Sequence, residues 1–167
     1  MKRALIIIFI TLAASLMWGC FKDVVDYTNY NTAIYVQTSS DGSFKPATDI
    51  EAYAFGVDTT QWRIASWEDA VAHRITNKLT GETLDTPDAF GSFNASQEYQ
   101  SSIHLDKEVS MIVMVCPETQ VYAYRKYTLP ENLAEVFTKL YIATWKSSHN
   151  MAGWRIVNPF YTPAAKQ

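Results

Sequence analysis

Val109-Ser110-Met111-Ile112-Val113-Met114-Val115-Cys116 is followed by Pro117-Glu118-Thr119-Gln120 and then by Val121-Tyr122-Ala123-Tyr124-Arg125-Lys126-Tyr127. The first run is almost wholly apolar over the length of one strand. The next four residues form turns, and the second run is rich in aromatic and β-branched side chains, which suit a pleated, half-buried surface. Together they read as a β-hairpin whose first strand is buried. Cys116 closes that strand and reads as a small core hydrophobe, because free cysteine is among the most buried residue types. A catalytic thiol would need a neighbouring base and partial exposure.

Working outward, the chain repeats this pattern. Ala33 to Thr38 alternates, with Ile34 and Val36 on one face, and Ser40-Asp41-Gly42-Ser43 is a turn. Ile50 to Val57 alternates again. Its Ala52 and Ala54 face predicts close approach of another sheet or of large aromatics, opposite Glu51, Tyr53 and Phe55. Trp62 to Ala65 is short and apolar. Ser66-Trp67-Glu68-Asp69 has capping-box spacing, with Ser66 as N-cap and Asp69 reaching back, and predicts one or two helical turns through Ala70-Val71-Ala72. Thr80-Gly81, within Ile75 to Leu84, predicts a hairpin, since glycine reaches positive φ at little cost. Residues 85 to 101 carry Pro87, Gly91 and Asn94 and read as the least ordered region. Ile103-His104-Leu105 opens a further strand, and Leu133 to Phe137 reads as a brief helix or a loop. Lys139 to Trp145 and Trp154 to Val157 supply the last strands. Strands at this spacing with so little helix predict an all-β fold, an antiparallel β-sandwich with one short helix. The Asp49 to Phe55 strand and the Ile75 to Leu84 hairpin resemble small prealbumin-like or carboxypeptidase-regulatory-like sandwiches, within a broader prealbumin-like or Ig-like class.

The N-terminus reads differently. Met1-Lys2-Arg3 is basic, and Ala4 to Met17 is apolar and uncharged. About 20 apolar residues are needed to span a bilayer as a helix, so this run is short for an anchor and has the length and flanks of a signal-peptide core. Leu16-Met17-Trp18-Gly19-Cys20 resembles the lipobox of bacterial lipoproteins, although Met17 and Trp18 stand where leucine and a small residue are commoner. The resemblance implies that residues 1–19 are a lipoprotein signal peptide and that Cys20 is lipidated. Residues 20–31 are then the lipidated cysteine and tether, and residues 32–167 a single β-sandwich domain. Several acyl chains on one cysteine anchor durably, because each buried methylene contributes about 0.8 kcal/mol. Phe21 stands where aspartate would favour inner-membrane retention, which implies the outer membrane of a Gram-negative bacterium. The pattern from Ala33 to Asn158 is similar to lipoproteins common in Bacteroidetes, a resemblance that carries over no catalytic residues.

Composition limits the partners. The full chain has 14 basic and 17 acidic residues and a net charge of −3; without Lys2 and Arg3 the charge becomes −5. With no basic cluster, a nucleic-acid partner is not expected. His73, His104 and His149 lie in no zinc-binding spacing, and neither a metal nor any other cofactor is expected. His73 is placed at the end of the short helix, His104 facing solvent and His149 in a polar loop. A Gly-x-Ser-x-Gly elbow and a phosphate-cradling glycine loop are both missing from the sequence. Some carboxylate pair must lie close in space, and a glycosidase needs only two, so a small envelope hydrolase is the most remote reading.

Trp62, Trp67, Trp145 and Trp154 are the candidate ligand-facing aromatics; the alternative is that they fill the core. Asp58-Thr59-Thr60 resembles an O-glycosylation site of Bacteroidetes, and an ordinary turn would use the same residues. The expectation is therefore a lipid-anchored, non-enzymatic structural or interaction module of a surface assembly, held to the membrane by its lipid and bound to an envelope protein. The alternative is a glycan-binding module associated with surface polysaccharide uptake.

Overall fold

The fold comes from a computed structural model that describes residues 26–94, 100–130 and 134–163. The expected signal peptide, Cys20 and the first part of the tether lie outside the described residues. Within them the chain is all-β and mostly antiparallel, with one α-helix, α1 (Trp67–Val71), and a 3-10 turn (Pro117–Thr119).

The strands form three sheets. In the outer five-stranded sheet β1 (Thr28–Gln37) lies between β12 (Glu135–Ala143) and β9 (Gln100–Leu105). Beyond β9 lies β8 (Ser92–Asn94), and β2 (Lys45–Pro46) also pairs with β1. The central six-stranded sheet is built on the hairpin of β10 (Val109–Cys116) and β11 (Val121–Thr128). β3 (Glu51–Phe55) and then β7 (Ala89–Phe90) extend it on the β10 side. β14 (Trp154–Val157) and β13 (His149–Met151) extend it on the β11 side. A small third sheet joins β4 (Trp62–Arg63), β5 (Ile75–Asn77) and β6 (Thr83–Leu84).

Two cores hold these layers together. Ile112, Met114 and Cys116 point from the central sheet towards the outer one, where they meet Tyr30, Ile34, Ile103 and Leu140. This arrangement of two facing sheets is consistent with a β-sandwich. Met111, Val113 and Val115 point the other way and pack with Phe55, Trp62, Ile64 and Ile75 beneath α1 and the third sheet. β10 reads as an unbroken apolar run because it has no solvent face. Ala52 and Ala54 face the outer sheet, as their size predicted, while Tyr53 and Phe55 fill the second core. The third layer goes beyond the expected pair of sheets.

Local chemistry fixes the covering layer. The Ser66 hydroxyl accepts the Asp69 N–H at 3.1 Å. The Asp69 carboxylate turns away from the cap to take the Arg74 guanidinium, with Nε at 2.6 Å. Only half of the capping box therefore forms. The buried Tyr53 hydroxyl donates to the Ala70 carbonyl at 2.8 Å, which ties helix to sheet, and its burial, with the nearby Glu51 charge, raises its pKa. Gly81 sits at φ +75° in the turn between β5 and β6, where Asn77 Oδ1 accepts from Leu79 N at 2.9 Å and Thr80 N at 3.1 Å.

Five expectations need correction. Residues 28–31 belong to β1 and not to a tether, and Thr28 and Tyr30 are fully buried. The first strand thus starts at Thr28, ahead of the expected domain start at residue 32, because buried threonines concealed the period-two pattern. Residues 85–94 contain β7 and β8, and Glu135–Phe137 opens β12 and is neither helix nor loop. His149 lies in β13. Finally, β1 and β12 pair in parallel, from Asn29↔Glu135 to Gln37↔Ala143, so the sandwich is not purely antiparallel. A two-residue turn forces antiparallel neighbours, but β12 follows a strand of the other sheet, and no hairpin sets its direction.

Gly91 marks the crossing from β7 in the central sheet to β8 in the outer one. A Cβ here would stand 2.8 Å from both Ala52 Cβ and Ile103 Cγ1, and 3.0 Å from Ser101 Oγ. Gly91→Ala is expected to destabilise the fold by about 1–3 kcal/mol through overpacking between the sheets. A lowered urea midpoint at unchanged slope would verify this, and an unchanged midpoint would refute it.

Candidate functional site

Two surfaces stand out. The first is the outer face of the five-stranded sheet. Inward residues of β1 and β12 alternate with Asn31, Tyr35, Phe137, Lys139 and Tyr141, which point outward. Tyr35 and Tyr141 are directly paired and their rings stack, with centroids 5.2 Å apart and planes at 16°. Phe44, ahead of β2, meets Tyr141 edge-on at 5.2 Å. Phe137 is half exposed and lies across from Asn31, which has Ser102 of β9 on its other side. Further along, Tyr27 stacks on His104, whose ring nitrogen lies 3.0 Å from Asn29 Oδ1. His104 is exposed, as its alternation predicted.

The second surface is at the end of the sandwich. Two adjoining clefts of about 440 and 610 Å³ share Thr38, Ser39 and Thr119. Cys116 floors the first, where the Thr48 hydroxyl donates to Glu118 Oε2 at 2.8 Å. Trp145, Phe160 and Tyr161 line the second beside Ser40, Thr144 and Asn158. The Trp145 indole N–H donates to Gln37 Oε1 at 2.9 Å, and Lys146 Nζ lies 4.6 Å from the ring centroid. Phe160 in turn meets Trp67 edge-on at 6.4 Å. The second cleft thus sets aromatic rings beside hydroxyls and the Asn158 amide.

The four candidate tryptophans therefore divide. Trp154 is 1% exposed in the first core and Trp62 is 9% exposed in the second. Trp67 and Trp145 are half-buried; Trp145 lines the second cleft, and Trp67 meets Phe160, which lines it as well. The exposed aromatics of the sheet face were missed at the sequence level. Their signal was the alternation of Glu135, Phe137, Lys139 and Tyr141 in phase with charge, which a helix-or-loop reading of that segment hides.

Cys116 and His73 both have defined structural surroundings. Cys116 is buried, and desolvation raises its thiol pKa. His73 Nε2 lies 2.5 Å from Glu51 Oε1, with the imidazole ring edge-on to Tyr53 and Phe90. Among the described residues no three His, Cys, Asp or Glu side chains gather as for a metal, and no helix is long and apolar enough to cross a membrane.

Asp58-Thr59-Thr60 is a clamped turn. Asp58 accepts Lys126 Nζ at 2.5 Å and the Thr60 N–H at 2.8 Å, and Lys78 Nζ donates to the Thr59 carbonyl at 2.7 Å. The bond from Lys126, then that from Thr60, holds the Asp58 carboxyl at a pKa of about 2. Lys126→Ala is expected to move its NMR titration midpoint up towards the ordinary 3.8. The depressed pKa stabilises the fold above the ordinary carboxylate value, and this contribution fades as pH falls towards 2. A midpoint unmoved by the substitution would contradict the assignment. No protein-family model, curated protein or solved structure matches the chain.

Proposed function

We propose that the protein is a lipid-anchored module of the bacterial cell envelope that works by association and not by catalysis. In this reading it is a prealbumin-like or Ig-like lipoprotein of the kind found in Bacteroidetes. Cys20 holds it in the outer membrane, and it serves a surface assembly by binding an envelope protein. The anchor rests on the basic start, the apolar run and Gly19-Cys20. The binding role is carried by one observation: Phe44, Phe137 and Tyr141 stand exposed together on one sheet face. Aromatic side chains are enriched at protein interfaces, where they combine apolar area with few rotatable bonds.

Two experiments address the two halves of this reading. Metabolic labelling with an alkyne fatty acid should mark the parent chain and spare Cys20→Ala; equal labelling of both would remove the anchor. A photo-crosslinking residue placed at position 141 in living cells should give discrete envelope adducts. The same residue at Leu79, which is 90% exposed in the turn between β5 and β6, should give none. Identical patterns, or no adduct from either site, would remove the binding face.

The cleft of Trp145, Phe160 and Tyr161 favours a second reading, glycan binding beside surface polysaccharide uptake. Sugar rings stack on aromatic faces while hydroxyls and amides meet their polar edges. Iodide should quench the half-buried Trp67 and Trp145 and spare Trp62 and Trp154. An oligosaccharide ligand should relieve that quenching in the parent and not in Trp145→Ala.

A further inference from the structure

We propose that two copies of the chain pair antiparallel through the free edge of β12, centred on Phe137, and so join their outer sheets into one. This rests on the reading that the protein works by association, and it names a second copy as the partner.

The backbone determines which groups are free. Asn29 N–H donates to the Ala134 carbonyl at 2.8 Å, and Thr144 N–H donates to the Gln37 carbonyl at 2.9 Å. In a parallel ladder, alternate residues of a strand turn both backbone groups to one neighbour. Residues 136, 138, 140 and 142 therefore face β1, while Glu135, Phe137, Lys139 and Tyr141 turn their N–H and C=O to the other side. Among the described residues β1 is the sole strand paired with β12. The edge is nine residues long, contains no proline and exposes Phe137 and Tyr141. An edge of this length can template strand addition, and its exposed Glu135 and Lys139 blunt it against any strand that does not answer their charges.

The side chains then select both partner and register. Edge-facing residues must pair with edge-facing residues. About Phe137, Glu135 lies opposite the partner's Lys139, Lys139 opposite the partner's Glu135, and the two Phe137 rings meet. About Thr138, Glu135 faces an aromatic ring and Lys139 another. About Lys139, two ammonium groups oppose each other. Opposite charges and aromatic pairs stabilise cross-strand neighbours and like charges destabilise them, so the first register wins. Its three hydrogen-bonded pairs exchange about six backbone bonds. Because the row is self-complementary about its centre, the contact closes as a twofold dimer and does not propagate.

The test uses the full chain in mild detergent. Sedimentation should show a monomer–dimer equilibrium. Lys139→Glu should weaken it about tenfold or more, and Glu135→Lys with Lys139→Glu should restore it. Phe137→Cys should oxidise to a covalent dimer, since paired Cα atoms about 5.5 Å apart suit a disulfide. Tyr141→Cys, off the twofold, should not. A chain that stays monomeric at several hundred micromolar, or equal linkage by both cysteines, overturns the proposal. The photo-crosslinker at position 141 separates the two claims. An adduct to another envelope protein without self-adduct removes the dimer and leaves the association reading standing, while the absence of any adduct removes both.

Discussion

Trp154→Ala is expected to cost about 3–5 kcal/mol, the loss typical of truncating a fully buried large aromatic. The indole is among the largest fully buried side chains and meets the Tyr30 ring edge-on at 6.3 Å. The Arg125 guanidinium carbon lies 5.7 Å from both ring centroids, and its Nη1 donates to the Tyr30 hydroxyl at 2.8 Å. Alanine would leave a void that this group, half fixed by a charged hydrogen bond, can fill only in part. Trp154→Phe should cost much less than alanine, because it keeps most of the ring. It also removes a buried indole N–H that finds no acceptor among the described residues. Urea titration of both variants would distinguish these outcomes. Equal losses would mean that the ring contributes through something other than packing.

Phe55→Ala is expected to cost a similar amount, about 3–5 kcal/mol, but to act on the other face of the central sheet. Phe55 is 1% exposed and meets the Tyr53 ring edge-on at 5.9 Å within the core covered by α1 and the third sheet. Hydrogen exchange should show protection lost first in α1 and β4–β6 and retained longer in β1 and β9. Besides this core, the covering layer is held by the Tyr53–Ala70 bond and by the half-exposed His73–Glu51 and Lys126–Asp58 contacts. Uniform loss across all three layers would show that the third layer is no separate unit of stability.

The hairpin of β10 and β11 was legible because an unbroken apolar run needs a two-sided burial that few other structures provide. The helix start at Ser66 was legible from its cap alone. β1 was legible from Ala33 but not from Thr28, since Thr28 and Thr32 occupy inward positions where hydropathy shows polar residues. β7 and β8 were hidden by Pro87 and Gly91, which punctuate strands as readily as loops. For the candidate surfaces, counting tryptophans pointed to Trp145, which lines a cleft, and to Trp67, which meets only a ring that lines it. It also pointed to Trp62 and Trp154, whose positions alone do not separate core from surface. The sheet face depended on a parallel pairing between residues more than a hundred positions apart, and no local pattern encodes that.

The parallel run of β1 beside β12 also gives the molecule two poles. Thr28 and Glu135 lie at one of them, and Gln37 and Ala143, leading into the clefts, lie at the other. If Cys20 carries the lipid, the eight steps from it to Thr28 reach at most about 26–29 Å even when fully stretched. Ten residues of β1 then carry the chain about 33 Å further. Under the proposed anchor, the clefts lie at the pole of the sheet opposite to the one the lipidated segment enters.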